Sequence, residues 1–224
     1  MQFKKTLVRL LLILLPLAGA AQTTYFPLGD KAYPLIERLE IKRKTDSAFN
    51  FSKTRPFSRQ QIMNNIARLT AADYGKMKLS KVDQYNLDRL MMNNLEYVTD
   101  RSKYQSKKPI WKRFYQTPAN LYEVHIKDFD LVINPVIQVY VAKEKDNDQT
   151  LYLNTRGVNI RGRIANKIGF YGYVTDNQEK DPMYVRDWVD RRKAVPGQGF
   201  YKPFKIGGYD YFDARGYFTF NVTR

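Results

Sequence analysis

The chain has no cysteine and a single histidine. Without cysteine there is no disulfide framework, no thiolate metal site and no thiol nucleophile. The lone His125 sits on a short alternating run with Glu123 and Lys127, and nothing local marks the serine that a histidine-based triad needs. Phosphate loops are missing too. Gly197-Gln198-Gly199 has no strand before it and no helix after it. Asp128 and Asp130 set no carboxyl separation that would mark a glycosidase pair, and a turn between strands accounts for them. No catalytic constellation stands out, so neither an enzyme nor a cofactor is expected.

Long apolar runs are scarce as well. The clearest, residues 10–17, is broken by Pro16 and falls short of the roughly 20 residues a spanning helix needs. It follows Lys4, Lys5 and Arg9 and precedes Ala18-Gly19-Ala20-Ala21, which is the pattern of a signal peptide over residues 1–21. Cleavage is expected before Gln22 or one residue earlier, and the absent cysteine excludes lipoprotein processing. The protein is therefore read as exported.

What is present is charge and aromatic side chains. The chain has 38 basic and 22 acidic residues, and removing the three basic residues of the signal leaves 35 against 22, a net charge of +13. An exported chain rarely meets nucleic acid, so no nucleic-acid partner is expected. Its polyanions are acidic polysaccharide, lipopolysaccharide phosphate and anionic head groups. Seventeen tyrosines and 13 phenylalanines, beside 27% charged residues, are many for a modest soluble core.

Two periods divide the mature chain. Leu35, Ile36 and Leu39, with Pro34 near the start, predict a short helix that Lys42-Arg43-Lys44 ends in solvent. Ser58 with Gln61, then Ile62, Ile66 and Leu69, predicts a second helix over 58–70. Ser80 with Asp83 starts a third over 80–98, with Val82, Tyr85, Leu90, Met91 and Leu95 on its apolar face. From residue 121 the helical period disappears. Tyr122, Val124 and Ile126 alternate briefly, and four longer runs alternate at 131–142, 151–164, 168–176 and 211–222. Pro135 marks an edge, an early strand position or a bulge. Residues 143–149 read as a charged loop, 165–167 as a tight hairpin turn and 178–208 as a long irregular connection.

Length then separates two kinds of sheet. The four runs hold 12, 14, 9 and 12 residues, against about 5 or 6 in soluble strands and about 9 to 11 in bilayer-crossing ones. Short turns on one side and long loops on the other fit the same alternative. The fold class is accordingly α+β. Residues 22–120 form a periplasmic helical region, and residues 121–224 form antiparallel meander strands of an incomplete transmembrane β-barrel. Four strands cannot close a barrel, because the smallest bacterial ones use about eight. The chain is therefore expected to be the N-terminal portion of a longer protein, or to share a barrel between copies.

Several segments resemble the start of capsule-assembly Wzi family proteins. They are Tyr25-Phe26-Pro27-Leu28-Gly29, Leu35-Ile36-Glu37-Arg38-Leu39-Glu40-Ile41, Arg55-Pro56-Phe57-Ser58-Arg59, Gly157-Val158-Asn159-Ile160-Arg161-Gly162 with Gly169-Phe170-Tyr171, and Pro196-Gly197-Gln198-Gly199-Phe200-Tyr201-Lys202. The likeness runs over nearly all the mature chain and reaches roughly the first third of a full-length member. It implies an outer-membrane barrel with a helical periplasmic region that anchors capsular polysaccharide without catalysis. Expected partners are capsular or other acidic polysaccharide and outer-membrane lipid.

Candidate glycan-binding residues follow from the alternation. Arginine suits sugar carboxylates through its two-pronged geometry, and aromatic rings suit sugar faces. Arg161, Arg163, Tyr171 and Tyr173 fall on one face of adjacent strands, and Asp213, Arg215 and Tyr217 on another. Loop aromatics Tyr184, Trp188, Tyr201 and Tyr209 serve sugar contact or an interfacial girdle equally well. The alternative reading is a soluble periplasmic module that binds an anionic glycan or an envelope partner.

Overall fold

Ser80 begins a helix for a reason visible at atomic level. Its hydroxyl accepts from the Asp83 N–H at 3.2 Å while the Asp83 carboxylate accepts from the Ser80 N–H at 2.9 Å. This reciprocal cap satisfies two donors that a helix start leaves orphaned. The computed structural model describes residues 24–44, 54–69, 71–145, 147–165 and 167–220. The proposed signal peptide and the end of the 211–222 run lie outside them.

The helices are α1 (Ala32–Arg43), α2 (Arg59–Ala67), α3 (Ala71–Met77) and α4 (Lys81–Met92), with 3₁₀ turns at Leu95–Tyr97 and Ser102–Tyr104. Ile36 and Leu39 of α1, Ile62 and Ile66 of α2, and Leu87 and Leu90 of α4 close on Phe26 and Phe57 as one core. Each such side chain contributes roughly 1.5–3 kcal/mol by leaving water. Leu95 is buried as well. Three expectations need correction. Val82 and Tyr85 point outward, because α4 turns Leu87 and Leu90 inward instead. The third helix stops at Met92 rather than near Val98. Lys42 and Arg43 do not end α1 in open solvent but pair with Asp83 and Asp73.

The strands are β1 (Tyr122–Ile126), β2 (Phe129–Glu144), β3 (Asn147–Ile164), β4 (Ile168–Lys180), β5 (Lys202–Phe204) and β6 (Gly208–Phe220). All neighbours are antiparallel, in the order β1-β2-β3-β4-β6-β5. The α+β class and the hairpin through 165–167 are as expected. Lys167 N–H donates to Ile164 at 2.9 Å across that turn. Pro135 lies where β2 has run past its pairing with β1, so its missing N–H is not needed there. The strands are longer than their alternation suggests, at 16, 18 and 13 residues for β2, β3 and β4. The supposed loop over 143–149 is largely strand, since charged side chains at the rim still pair their backbones. Asp128 does lie in the turn, but Asp130 belongs to β2. The connection over 178–208 contains helix α5 (Met183–Arg192), whose Val189 packs on Tyr209 and Tyr211.

Register gives the sheet two unlike faces. Phe129, Ile164, Ile168 and Phe220 form one cross-strand row; Leu131, Gly162, Phe170 and Phe218 form the next; then Ile133, Ile160, Gly172 and Gly216; then Pro135, Val158, Val174 and Ala214. All four rows lie on one face. The fifth row holds Ile137 and Phe212 around an Arg156–Asp176 pair at 3.1 Å. Much of this face is bare, with Ile137 75% and Phe218 76% exposed. The other face carries Asn134, Asn159, Arg161, Arg163, Tyr171, Tyr173, Arg215 and Tyr217, and the helices sit against it. Among the described residues no helix is long and apolar enough to cross a membrane, a statement about helices and not about strands.

Candidate binding site between the helices and the sheet

The polar face meets the helical unit through a buried charge network. Arg161 is 7% exposed. It donates from Nε to Glu96 Oε1 at 2.9 Å and from Nη2 to the Asn93 carbonyl. Arg163 binds Asp130 Oδ2 through Nε at 2.9 Å, reaches the Glu96 carbonyl through Nη2 at 3.4 Å, and lies 5.2 Å from the Tyr97 ring centre. Burial works against an ionised Glu96, yet Arg161 and Arg59 outweigh it and hold the carboxyl below the usual range. The 3₁₀ turn after α4 thus places Glu96 and Tyr97 against β3.

His125 and its neighbours extend the network. Its Nδ1 lies 2.9 Å from Asp130 Oδ1 and its Nε2 3.4 Å from Glu123 Oε2. Both ring nitrogens face carboxylates, so neither stands beside a serine as a base. Asn120 donates to Glu123 at 2.7 Å, and Asn134 donates to Asn120 at 2.9 Å. Among the described residues no group of three or more potential ligands is arranged to hold a metal ion.

Beside this network lies a cleft of about 500 Å³ between α1, α4 and the polar face, within the size range of ligand sites. Arg161 and Tyr171, paired across β3 and β4, form part of its floor. Asn134 and Asn159 lie beside them, and Arg59, Asn93 and Asn94 close it from the helical side. Tyr171 stacks on Tyr217 at 5.3 Å, and the Tyr217 hydroxyl accepts from the Tyr25 N–H at 2.8 Å.

The five proposed glycan residues are divided by this arrangement. Arg161 and Tyr171 reach the cleft, whereas Arg163 is bound to Asp130 outside it. Tyr173 and Arg215 form a cross-strand pair further along the face, with Arg215 donating to Asp213 at 2.9 Å. Asp213, Arg215 and Tyr217 share the face of Arg161, not another one, because β4 pairs Tyr171 with Tyr217 and Tyr173 with Arg215. Sequence reasoning missed Arg59, Glu96 and the asparagines of the helical side. Their signal is long-range pairing, such as the 65 residues between Glu96 and Arg161, which no local pattern carries. No family model matches the chain, and neither does any curated protein or solved structure.

Proposed function

We propose that this chain supplies the first strands of an outer-membrane β-barrel in capsule or surface-polysaccharide assembly, without catalysis, as its resemblance to the Wzi family implies. Its apolar sheet face meets lipid, and its polar face, plugged by the helical unit on the periplasmic side, handles acidic polysaccharide. One observation carries the reading: four consecutive rows across four strands are apolar on the side away from the helices, and an ion pair bounds them. From Phe129 to Pro135 is six steps of about 3.3 Å, or roughly 20 Å along the strand. At a tilt of about 40° that is roughly 15 Å of height, the larger part of the apolar band of about 25 Å in such barrels. A soluble sheet leaving that surface bare would aggregate. Free strand edges are not viable in hydrocarbon, so further strands of a longer chain or of other copies complete the wall.

The test is fractionation of cells expressing the chain with its leader, followed by a high-pH wash and then detergent. The barrel reading expects the protein to stay with outer membranes until detergent is added. Release in the wash would favour the soluble periplasmic module. For the glycan role, deleting the gene is expected to shed capsule into the medium without changing its composition.

A further inference from the structure

Arg59 is a buried cation on which Glu96 and Asp30 act only from beyond ion-pair distance. It is 5% exposed. Its Nε donates to the Tyr25 carbonyl at 3.3 Å, its Nη1 donates to Asn94 Oδ1 at 2.6 Å, and its guanidinium lies 4.3 Å over Phe26. Among the described residues no carboxylate stands within ion-pair reach of it. Burial first, and then the like charge of Arg161, push its pKa down to about 10. The Glu96 carboxylate accepts from Arg161 and, as a single negative charge, offsets only part of two buried positive charges. A buried charge so placed gains most from an anion that enters with its own polar shell.

The rest of the cleft says what kind of anion. Among the described residues its lining holds five basic residues and one acidic residue, Asp30, whose carboxylate accepts from the Ala32 N–H at 2.8 Å. Arg38 is committed to Asp83, which leaves Lys31 and Arg89 at the rim. Six asparagines also line it, and the side chains of Asn86 and Asn159 make no hydrogen bond among the described residues. An amide offers two donors and an acceptor oxygen, matching hydroxyls that both donate and accept. Phosphate oxygens only accept at full charge, and the amide oxygens would be wasted on them. Guanidinium forks fit a planar carboxylate.

We propose that this cleft is a binding site for a carboxylated sugar unit, its carboxylate held at Arg59 and its hydroxyls by Asn159, Asn86 and their neighbours. The proposal deepens the polysaccharide reading above and rests on it for the identity of the polymer. It places recognition on the helical side of the polar face, where a bound sugar bridges α4 to β3 and β4.

The experiment is calorimetric titration of the full chain in detergent with trigalacturonate, with maltotriose as a neutral trimer and with inorganic phosphate. Trigalacturonate is expected to bind, and the other two are not. Asn159→Ala and Arg59→Gln are each expected to weaken binding at least tenfold, while Arg191→Ala on α5 leaves it unchanged. Arg59→Gln risks misfolding, so Asn159→Ala and Asn86→Ala, checked by circular dichroism, carry the comparison. Equal binding of maltotriose, equal binding of phosphate, or full affinity in both asparagine variants would overturn the proposal. A chain that stays in the membrane and ignores trigalacturonate refutes the cleft alone. A chain that washes off the membrane yet binds the acid through Asn159 refutes the barrel alone.

Discussion

Arg161 on β3 and Glu96 in the turn after α4 form a buried ion pair, Nε to Oε1 at 2.9 Å, that joins the sheet to the helices. Neither charge tolerates loss of the other, because the survivor stays desolvated. Glu96→Gln is expected to cost about 3–5 kcal/mol. The double variant Glu96→Met/Arg161→Met is expected to be less destabilised than Glu96→Gln alone, since neither member of the pair is left behind as an unpaired charge. Urea unfolding in detergent reads both. A double variant as unstable as the sum of the singles would make the pair incidental.

Acid should loosen the same region. Asp83 lies well below the usual carboxylate range, chiefly through its bond from Arg38 and then those from Ser80, and Glu96 is lowered too. A depressed carboxyl binds fewer protons folded than unfolded, so its contribution is complete above about pH 5 and fades as pH falls through about 4 and below. The share of stability that these two carboxylates supply should therefore hold from neutrality to about pH 5 and then drop. Asp83→Asn should show a lower plateau and a shallower drop. An unchanged slope in that variant would remove Asp83 from the account.

These contacts also mark how far the sequence could be read. Alternation at Val158, Ile160 and Ile164 against Asn159, Arg161 and Arg163 is a local property of β3, and the register keeps it. The caps at Ser58 and Ser80 are equally local. Helix α5 escaped because Pro182, at its N-cap, reads as a breaker and its surface is largely polar. The cleft escaped for a different reason. Arg59, Asn94, Asn134 and Asn159 come from four separate stretches, and each looks like an ordinary surface residue until the chain brings them together.

Two glycines on the β3–β4 hairpin should behave oppositely. A Cβ at Gly157 would lie 2.0 Å from the Val174 carbonyl oxygen and 2.7 Å from the Thr175 Cα, both backbone. A Cβ at Gly172 would meet nothing within 4 Å. Gly157→Ala must push β3 and β4 apart and is expected to cost about 1–3 kcal/mol. Gly172→Ala is expected to stay within about 0.5 kcal/mol of the parent. Thermal unfolding of the pair decides, and equal effects would contradict the close approach of the strands at Gly157.

The lipid-facing assignment makes the sharpest demand on side-chain placement. Phe218 belongs to the second of the four apolar rows, opposite Phe170, and is mostly exposed on the face away from the helices. Gln138 is exposed on the opposite face of β2, in the parity of Asn134 and Val132. If the apolar rows sit in hydrocarbon, Phe218→Arg places a charge near mid-bilayer at a cost of about 2–4 kcal/mol. Gln138→Arg places the same charge on the wet side and should be nearly neutral. Outer-membrane levels by quantitative blotting should fall severalfold for Phe218→Arg and match the parent for Gln138→Arg. If the rows face water instead, the arginine at 218 replaces an exposed ring with a solvated charge, and the protein should become more soluble, not scarcer. Equal levels for the two variants, or a gain for Phe218→Arg, would turn the sheet's apolar face away from lipid.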